Sequence, residues 1–258
     1  RVIETRFDVS DDARRVDSRY YVLPFGLHHQ VYMTPAYSRI KRLRRIEDRR
    51  ARVLFSGSTG DEYEGTIWAG GAGRVELLKA AMGYLGSEEK ARVRSGNQFY
   101  DLFCSGSSSD AVPKLVVLEF GRTPSEWLYT LAVTDFFLCL PGLYMPLCHN
   151  AFEAMAVGSI PITNYARWFQ PSLTDGVNCL CFSDCDDVGE VIRRALEMRQ
   201  DEVRRLREGV RRYYDEHAAE ASVYQKLARL PDGARCFVST ERNVDAIDEN
   251  SVVFSGRR

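Results

Sequence analysis

Between Thr134 and Thr163 the chain reads TDFFLCLPGLYMPLCHNAFEAMAVGSIPIT, a strand, a loop, a short helix and a second strand. Phe136 to Leu140 is an unbroken apolar run of strand length, and Pro141-Gly142 ends it. A ten-residue loop leads to Asn150, a good N-cap residue, and the pattern predicts a helix over Ala151 to Val157. Gly158 stops it as a C′ glycine would, and Ser159 to Thr163 re-enters the core. One acid, Glu153, lies inside this apolar unit. A carboxylate buried there is costly unless something pairs with it or donates hydrogen bonds to it.

The alternation extends in both directions. Strands are expected at Ala51 to Phe55, Lys114 to Phe120 and Asn178 to Phe182, and helices at Arg74 to Leu85, Asp186 to Arg199, Gln200 to His217 and Ala218 to Leu230. Another helix starts at Pro124, capped by Thr123, turns Trp127, Leu128 and Leu131 inward, and is closed by Asp135. Glu88 to Asp110 has no readable pattern apart from a polar loop at Ser105 to Ser109, and Gly65 to Gly73 reads as a flexible stretch. Strand alternating with helix over residues 51–199 predicts an α/β fold, a Rossmann-like parallel sheet flanked by helices on both faces. Outside it, residues 1–18 are charged and lack periodicity, Arg19 to Leu23 reads as a strand, and two more strands are expected at Arg235 to Ser239 and Ser251 to Phe254.

A net charge of −1, with 45% hydrophobic and 28% charged residues, fits a globular chain with no global pull toward nucleic acid or anionic membrane. No apolar run reaches bilayer length and no signal peptide opens the chain. The first residue is Arg1, so an upstream region is expected to have been removed. Seven cysteines, an odd number with several in apolar runs, read as free thiols of a reducing compartment. Cytoplasmic location follows, with a secretory lumen or a membrane-peripheral site as the alternative if an upstream anchor exists. Cys179, Cys181 and Cys185 lie close together but lack a C-x-x-C pair or a nearby histidine, so no metal is expected. The basic run from Arg39 to Arg50, with Ile40, Leu43 and Ile46 on one stripe, predicts a linker helix with a solvated basic face.

In a parallel sheet, ligands sit beyond the carboxyl ends of the strands. That rule selects Ser56 to Gly60, Gly121 to Thr123, Pro141 to Asn150 and Asn164 onward. Gly57 and Ser58 belong to a small-residue loop that lets a ligand approach the backbone, although it is neither a P-loop nor a dinucleotide fingerprint. Arg122 offers a charged fork, and His149 and Asn150 stand at a helix start whose amides attract phosphate. Glu153 lies four residues after His149 and three after Asn150, so all three share one helical face. Donors toward the helix start with an acceptor deeper in suit a nucleotide diphosphate and its ribose, whereas the structural alternative has Glu153 capping amides or pairing with an internal arginine. His28 and His29, adjacent in a strand-end loop, are the catalytic candidates.

The run FFLCLPG…HNAFEAMAVGSIPIT resembles the donor-binding domain of GT-B glycosyltransferases, of the exostosin-like and group-1 kinds, through Glu153, Ala154, Ala156, Gly158, Ile160 and Pro161. RTPSEWLYTLAVTDFFL and WFQPSLTDGVNCLCF extend the likeness, which covers roughly residues 51–217. The resemblance implies that Glu153 binds the ribose of a nucleotide sugar and that the loop with Gly142 and the helix start with His149 and Asn150 hold its diphosphate; the sheet-edge rule adds Gly57, Ser58 and Arg122 to the expected donor site. It implies transfer of a sugar to a hydroxyl acceptor, a glycan or polysaccharide, with no metal and no cofactor beyond the donor itself. Residues 1–50 would then be the end of an N-terminal acceptor domain with its linker helix, 51–217 the donor domain, and 218–258 a C-terminal helix and tail crossing back. The sequence departs from group-1 enzymes at Met145, where they often carry a second glutamate, and from exostosins at Asn150, where arginine is common. A non-catalytic nucleotide- or carbohydrate-binding module of the same fold is the alternative.

Overall fold

The computed structural model describes residues 4–6, 20–23, 26–64, 72–103, 114–143, 146–169, 171–230, 235–238 and 251–253. Met145, the Ser105 to Ser109 loop and most of the Gly65 to Gly73 stretch lie outside the described residues. In chain order the strands are β1 (Glu4–Arg6), β2 (Tyr20–Leu23), β3 (Ala51–Ser56), β4 (Lys90–Val93), β5 (Leu115–Leu118), β6 (Thr134–Cys139), β7 (Ile160–Thr163), β8 (Leu180–Cys181), β9 (Arg235–Val238) and β10 (Ser251–Val253). The helices are α1 (His29–Tyr32), α2 (Ala36–Leu43), α3 (Arg74–Tyr84), α4 (Gly96–Phe103), α5 (Pro124–Ala132), α6 (His149–Val157), α7 (Val188–Glu197), α8 (Gln200–Tyr213) and α9 (Glu220–Ala228).

Six strands form one parallel sheet in the order β4-β5-β3-β6-β7-β8. Every residue of β5, β6 and β7 is buried, as expected for strands covered on both faces. The covering helices fall into two packed sets, α3 with α7, and α5 with α2 and α6, the last also touching α8. The edge strand β4 and helix α4 occupy the stretch that showed no pattern. Only Val93 of β4 is fully buried, with Lys90 and Ala91 half-buried and Arg92 exposed, so this edge strand carries little alternation to read. The predicted terminal strands exist and join β1 in a second parallel sheet, β1-β9-β2-β10, built from both ends of the chain.

Three expectations need correction. Asn150 is not the N-cap of α6; Cys148 is, with extended backbone and no side-chain cap bond, and Asn150 lies inside the first turn. Asp135 does not close α5, which ends at Ala132; it is a strand residue, 3% exposed, ion-paired to Arg52 at 2.9 Å and to Arg207. The basic run is not a wholly solvated face. Arg39, Lys41 and Arg42 are exposed, but Arg44 Nε donates to the Ala156 carbonyl at 2.7 Å and Arg49 Nη2 to Val157 at 2.8 Å. Those carbonyls end α6, where the last turn has no intrahelical donors and the helix dipole favours a cation. Arg49 also donates to Thr134 O at 2.7 Å, and Arg52 Nε to Ala195 O at 2.9 Å near the end of α7. Burial, reinforced by Arg207, pushes the Arg49 pKa down to about 9. These arginines pin helix ends at the amino edge of the sheet, opposite the loops that carry the site.

Gly158 ends α6 with φ of +79°, as its position after the apolar run implied. A Cβ there would lie 2.9 Å from Arg211 Nε, so the glycine is required both by its dihedral and by the arginine packed on it. Replacing Asp135 with alanine would leave the Arg52 and Arg207 guanidinium groups without their shared carboxylate. Chemical denaturation of Asp135→Ala is expected to show a loss of about 3–5 kcal/mol. A loss below about 1 kcal/mol would mean that solvent screens the pair as it does at a surface.

Candidate functional site

After β3 the chain moves toward β4, and after β6 it moves the other way, toward β7. The loops following these two neighbouring strands therefore diverge and leave a crevice between them, where open α/β sheets take ligands. A cavity of about 410 Å³ opens there. Its wall includes Ser56 at the end of β3, Phe120 to Arg122 after β5, Trp127 of α5, and Cys148, His149, Asn150 and Glu153 from the start of α6. His28, Gln30 and Val31, from the segment ahead of the sheet, close one side. A second cavity of about 710 Å³ adjoins it, lined by Ser56 to Gly60 and Leu118 to Gly121.

Glu153 is 3% exposed, and both of its oxygens are engaged. Oε1 accepts the backbone N–H of His28 at 3.0 Å, and Oε2 accepts the indole N–H of Trp127 at 2.6 Å. Four residues earlier on the same helical face, His149 Nδ1 donates to the Gly26 carbonyl at 2.9 Å. One face of α6 thus grips the 26–28 segment at two points, one donor and one acceptor. Of the structural alternatives for Glu153, the structure shows one backbone amide, from a distant segment, joined by an indole N–H, and no arginine pairs with it among the described residues. Each carboxylate oxygen has a second lone pair, so the group can still accept from a ligand in the cavity it lines.

Arg74 is the most consequential residue that the sequence did not mark. It is the first residue of α3, 6% exposed, with its guanidinium beneath both loops. Nε donates to Pro141 O at 2.7 Å, Nη1 to Ser58 O at 3.1 Å and Nη2 to Cys148 Sγ at 3.4 Å. It also stands 4.3 Å above the Tyr63 ring. Among the described residues no carboxylate pairs with it. A Cβ on Gly57 would lie 3.3 Å from Nη1, so the small residue makes room for the arginine. Position gave a hint, since Arg74 opens a helix directly after a glycine-rich stretch, but nothing in a linear pattern shows a cation turned inward.

The other predicted residues divide. His28, Arg122, His149, Asn150 and Glu153 meet in the smaller cavity, and Gly57 and Ser58 line the larger. Arg122 stacks 3.9 Å from the Phe99 ring centroid and 4.5 Å from that of Phe120, and bonds the Thr130 hydroxyl, which orients its fork along the wall. Asn150 Nδ2 reaches Ser56 O at 3.5 Å. Gly142 is buried within its loop, its N–H bonded to Pro146 O at 3.2 Å. His29 is exposed and its ring lies tilted against that of His28, with centroids 4.1 Å apart. Burial, then the neighbouring His29 and His149, lower the pKa of His28, while Glu153 opposes them. Burial raises the pKa of Cys148 against the opposing influence of Arg74. Among the described residues no group of three or more His, Cys, Asp or Glu is arranged to hold a metal ion, and no helix is long and apolar enough to cross a membrane.

No family model matches the sequence, and no curated protein matches it. Solved structures do. Sucrose-phosphate synthase from Thermosynechococcus elongatus is 17% identical with a TM-score of 0.47, over 80% of this chain and 51% of that one. WaaG, a glycosyltransferase involved in lipopolysaccharide biosynthesis, is 16% identical with a TM-score of 0.44, over 82% of this chain and 56% of that one. HepE of Anabaena, in complex with UDP-glucose, is 14% identical with a TM-score of 0.44, over 74% and 51%. The chain spans about half the length of the structures it matches.

The two bonds to Glu153 make a prediction that separates its roles. In Glu153→Gln an amide N–H₂ must face either His28 N–H or Trp127 N–H, two donors opposed. The substitution is expected to cost about 1–3 kcal/mol of stability in thermal or urea melts, close to the cost of Glu153→Ala. A glutamine variant as stable as the parent would show that these bonds contribute little to the fold.

Proposed function

We propose that the chain is the nucleotide-sugar-binding part of a GT-B glycosyltransferase, which moves a sugar from a nucleoside diphosphate sugar to a hydroxyl of a glycan or similar acceptor. The observation that carries this reading is Arg74, a buried cation bonded among the described residues only to neutral acceptors, at the crevice between two diverging loops. A buried charge without a counter-ion is costly, and an anionic ligand at the loops above would offset that cost. The start of α6 adds backbone donors on the same side, which favours a diphosphate. Glu153, deeper along the helix, suits the ribose hydroxyls, and the likeness of residues 134–182 to donor-binding domains points the same way.

In such a transfer the sugar's bond to the diphosphate breaks as its bond to the acceptor oxygen forms, and the acceptor's proton passes to the departing diphosphate or to water. This chain's contribution would be to hold the donor and to stabilise the charge that develops on the leaving diphosphate, through Arg74, Arg122 and the helix-start amides. His28 and His149 stand close enough to the cavity to contact the donor. Donor groups of this kind carry the diphosphate charge without a metal. The acceptor and its site are assigned to the region outside residues 51–217. Pro141 to Cys148 contains no acid, which favours the second reading, a binding module without turnover.

Thermal-shift screening with UDP, GDP, ADP and CMP is expected to show stabilisation by a nucleoside diphosphate, and Arg74→Gln should weaken it by roughly tenfold or more in Kd, as loss of a charge-assisted contact implies. Indifference to all four nucleotides would remove both readings. Binding without hydrolysis or transfer of any sugar nucleotide by the full-length protein would favour the module.

A further inference from the structure

Cys179 and Cys181 stand two residues apart where the chain leaves a tight turn and enters β8. Gly176 sets the turn, with φ of +71° and its N–H bonded to the Cys179 carbonyl at 2.9 Å. Residues two apart on an extended chain share a side, and here the two sulfurs lie 3.5 Å apart and share a hydrogen bond. Cys179 is fully buried and Cys181 half-buried, so solvent reaches the pair from the Cys181 side. Two steps along a strand span about 6.6 Å, inside the range of Cα separations that a disulfide bridges. The sulfurs need to approach by roughly 1.5 Å to reach bonding distance.

We infer that Cys179 and Cys181 form a peroxide-sensitive dithiol, in which Cys181 is the attacking thiolate and Cys179 the thiol that closes the disulfide. Arg194, paired with Asp175 at 3.2 Å, is within electrostatic reach of Cys181, and Asp175 accepts the Cys181 N–H at 2.8 Å. The hydrogen bond from Cys179 lowers the pKa of Cys181 against the effect of burial, and Arg194 adds to the lowering while Asp175 opposes it. The same bond, with burial, raises that of Cys179. Burial raises the thiols of Cys139, Cys148 and Cys185, which leaves Cys181 as the lowered one among the described cysteines. An accessible thiolate beside a second thiol is the arrangement that peroxide oxidises reversibly. The Cys181 sulfur attacks one oxygen of hydrogen peroxide, the O–O bond breaks, and hydroxide leaves to become water, giving a sulfenic acid. The Cys179 sulfur then attacks the Cys181 sulfur, the S–O bond breaks, and the hydroxide leaves with the Cys179 proton as a second water. The two thiols lose two hydrogens and two electrons, and the peroxide is reduced to two waters. The inference is independent of the nucleotide-sugar reading.

Cleavage before Asp175 and Asp184 releases a peptide, residues 175–183, that holds these two cysteines and no other. The test treats the folded full chain with hydrogen peroxide over a time course, blocks the remaining thiols with N-ethylmaleimide, and weighs the peptides. The 175–183 peptide is expected to escape the label and to weigh two hydrogens less than its reduced form, roughly tenfold faster than Cys139, Cys148 or Cys185 loses the label. Dithiothreitol added before the label should restore both thiols. In Cys179→Ser the reaction is expected to stop at a sulfenic acid on Cys181, trapped by dimedone. In Cys181→Ser the oxidation of Cys179 should slow by roughly tenfold or more, because the buried thiol lacks its accessible partner.

Three results on the parent chain overturn the inference without any variant having to fold. The first is a 175–183 peptide still labelled at both cysteines when Cys185 is oxidised. The second is a peptide that gains oxygen and never loses two hydrogens. The third is a cross-link from either cysteine to another peptide. The same time course in denaturant separates the fold from mere closeness in sequence. There the preference for the pair is expected to fall away, and an equal rate of disulfide formation in folded and denatured chain would reject the roles assigned to burial and Arg194.

Discussion

The site depends on one carboxylate that has been given two donors. Glu153 ties α6 to Trp127 of α5 and to the backbone of His28, so a single buried group joins two helices that cover the sheet and the segment that precedes it. Its cost of burial is offset by hydrogen bonds from two neutral N–H groups, and among the described residues no cation stands at hydrogen-bond distance. With His149 gripping Gly26 from the same helical face, the cavity has a wall that the six-stranded sheet alone could not supply.

The two edges of the sheet use arginine differently. At the amino edge Arg44, Arg49 and Arg52 bond carbonyls at helix ends, and Asp135 joins Arg52 to Arg207. There the cation meets the negative end of a helix dipole, and the result is rigidity. At the carboxyl edge Arg74 meets two loop carbonyls and a thiol beside the positive end of α6. That is an unfavourable place for a cation until an anion arrives. The same kind of side chain stitches the fold on one edge and, in the reading proposed above, meets a bound anion on the other.

Much of the fold was legible because it rests on local rules. The apolar runs of β3, β5, β6 and β7 read as strands since they are buried on both faces, and Gly158 and Thr123-Pro124 mark helix ends through backbone requirements that hold in any context. Strand β4 was not legible, because an edge strand with one fully buried residue has no pattern. The basic run was misread as solvated for a related reason: an arginine's spacing does not say whether its guanidinium meets water or a helix end.

By itself the sequence determined the parallel α/β architecture, the carboxyl-edge loops at which the cavities open, and Glu153, His149 and Asn150 as neighbours on one helical face, because hydrophobic periodicity and helical spacing are properties of adjacent residues. Only the tertiary structure decided what those groups touch. It brought His28 to Glu153 across 125 positions, turned Arg74 under the loops, and set His149 against the Gly26 carbonyl. Such contacts depend on where distant segments arrive, and the hydrogen-bond partner of a buried polar group is set by that arrival rather than by its neighbours in the chain.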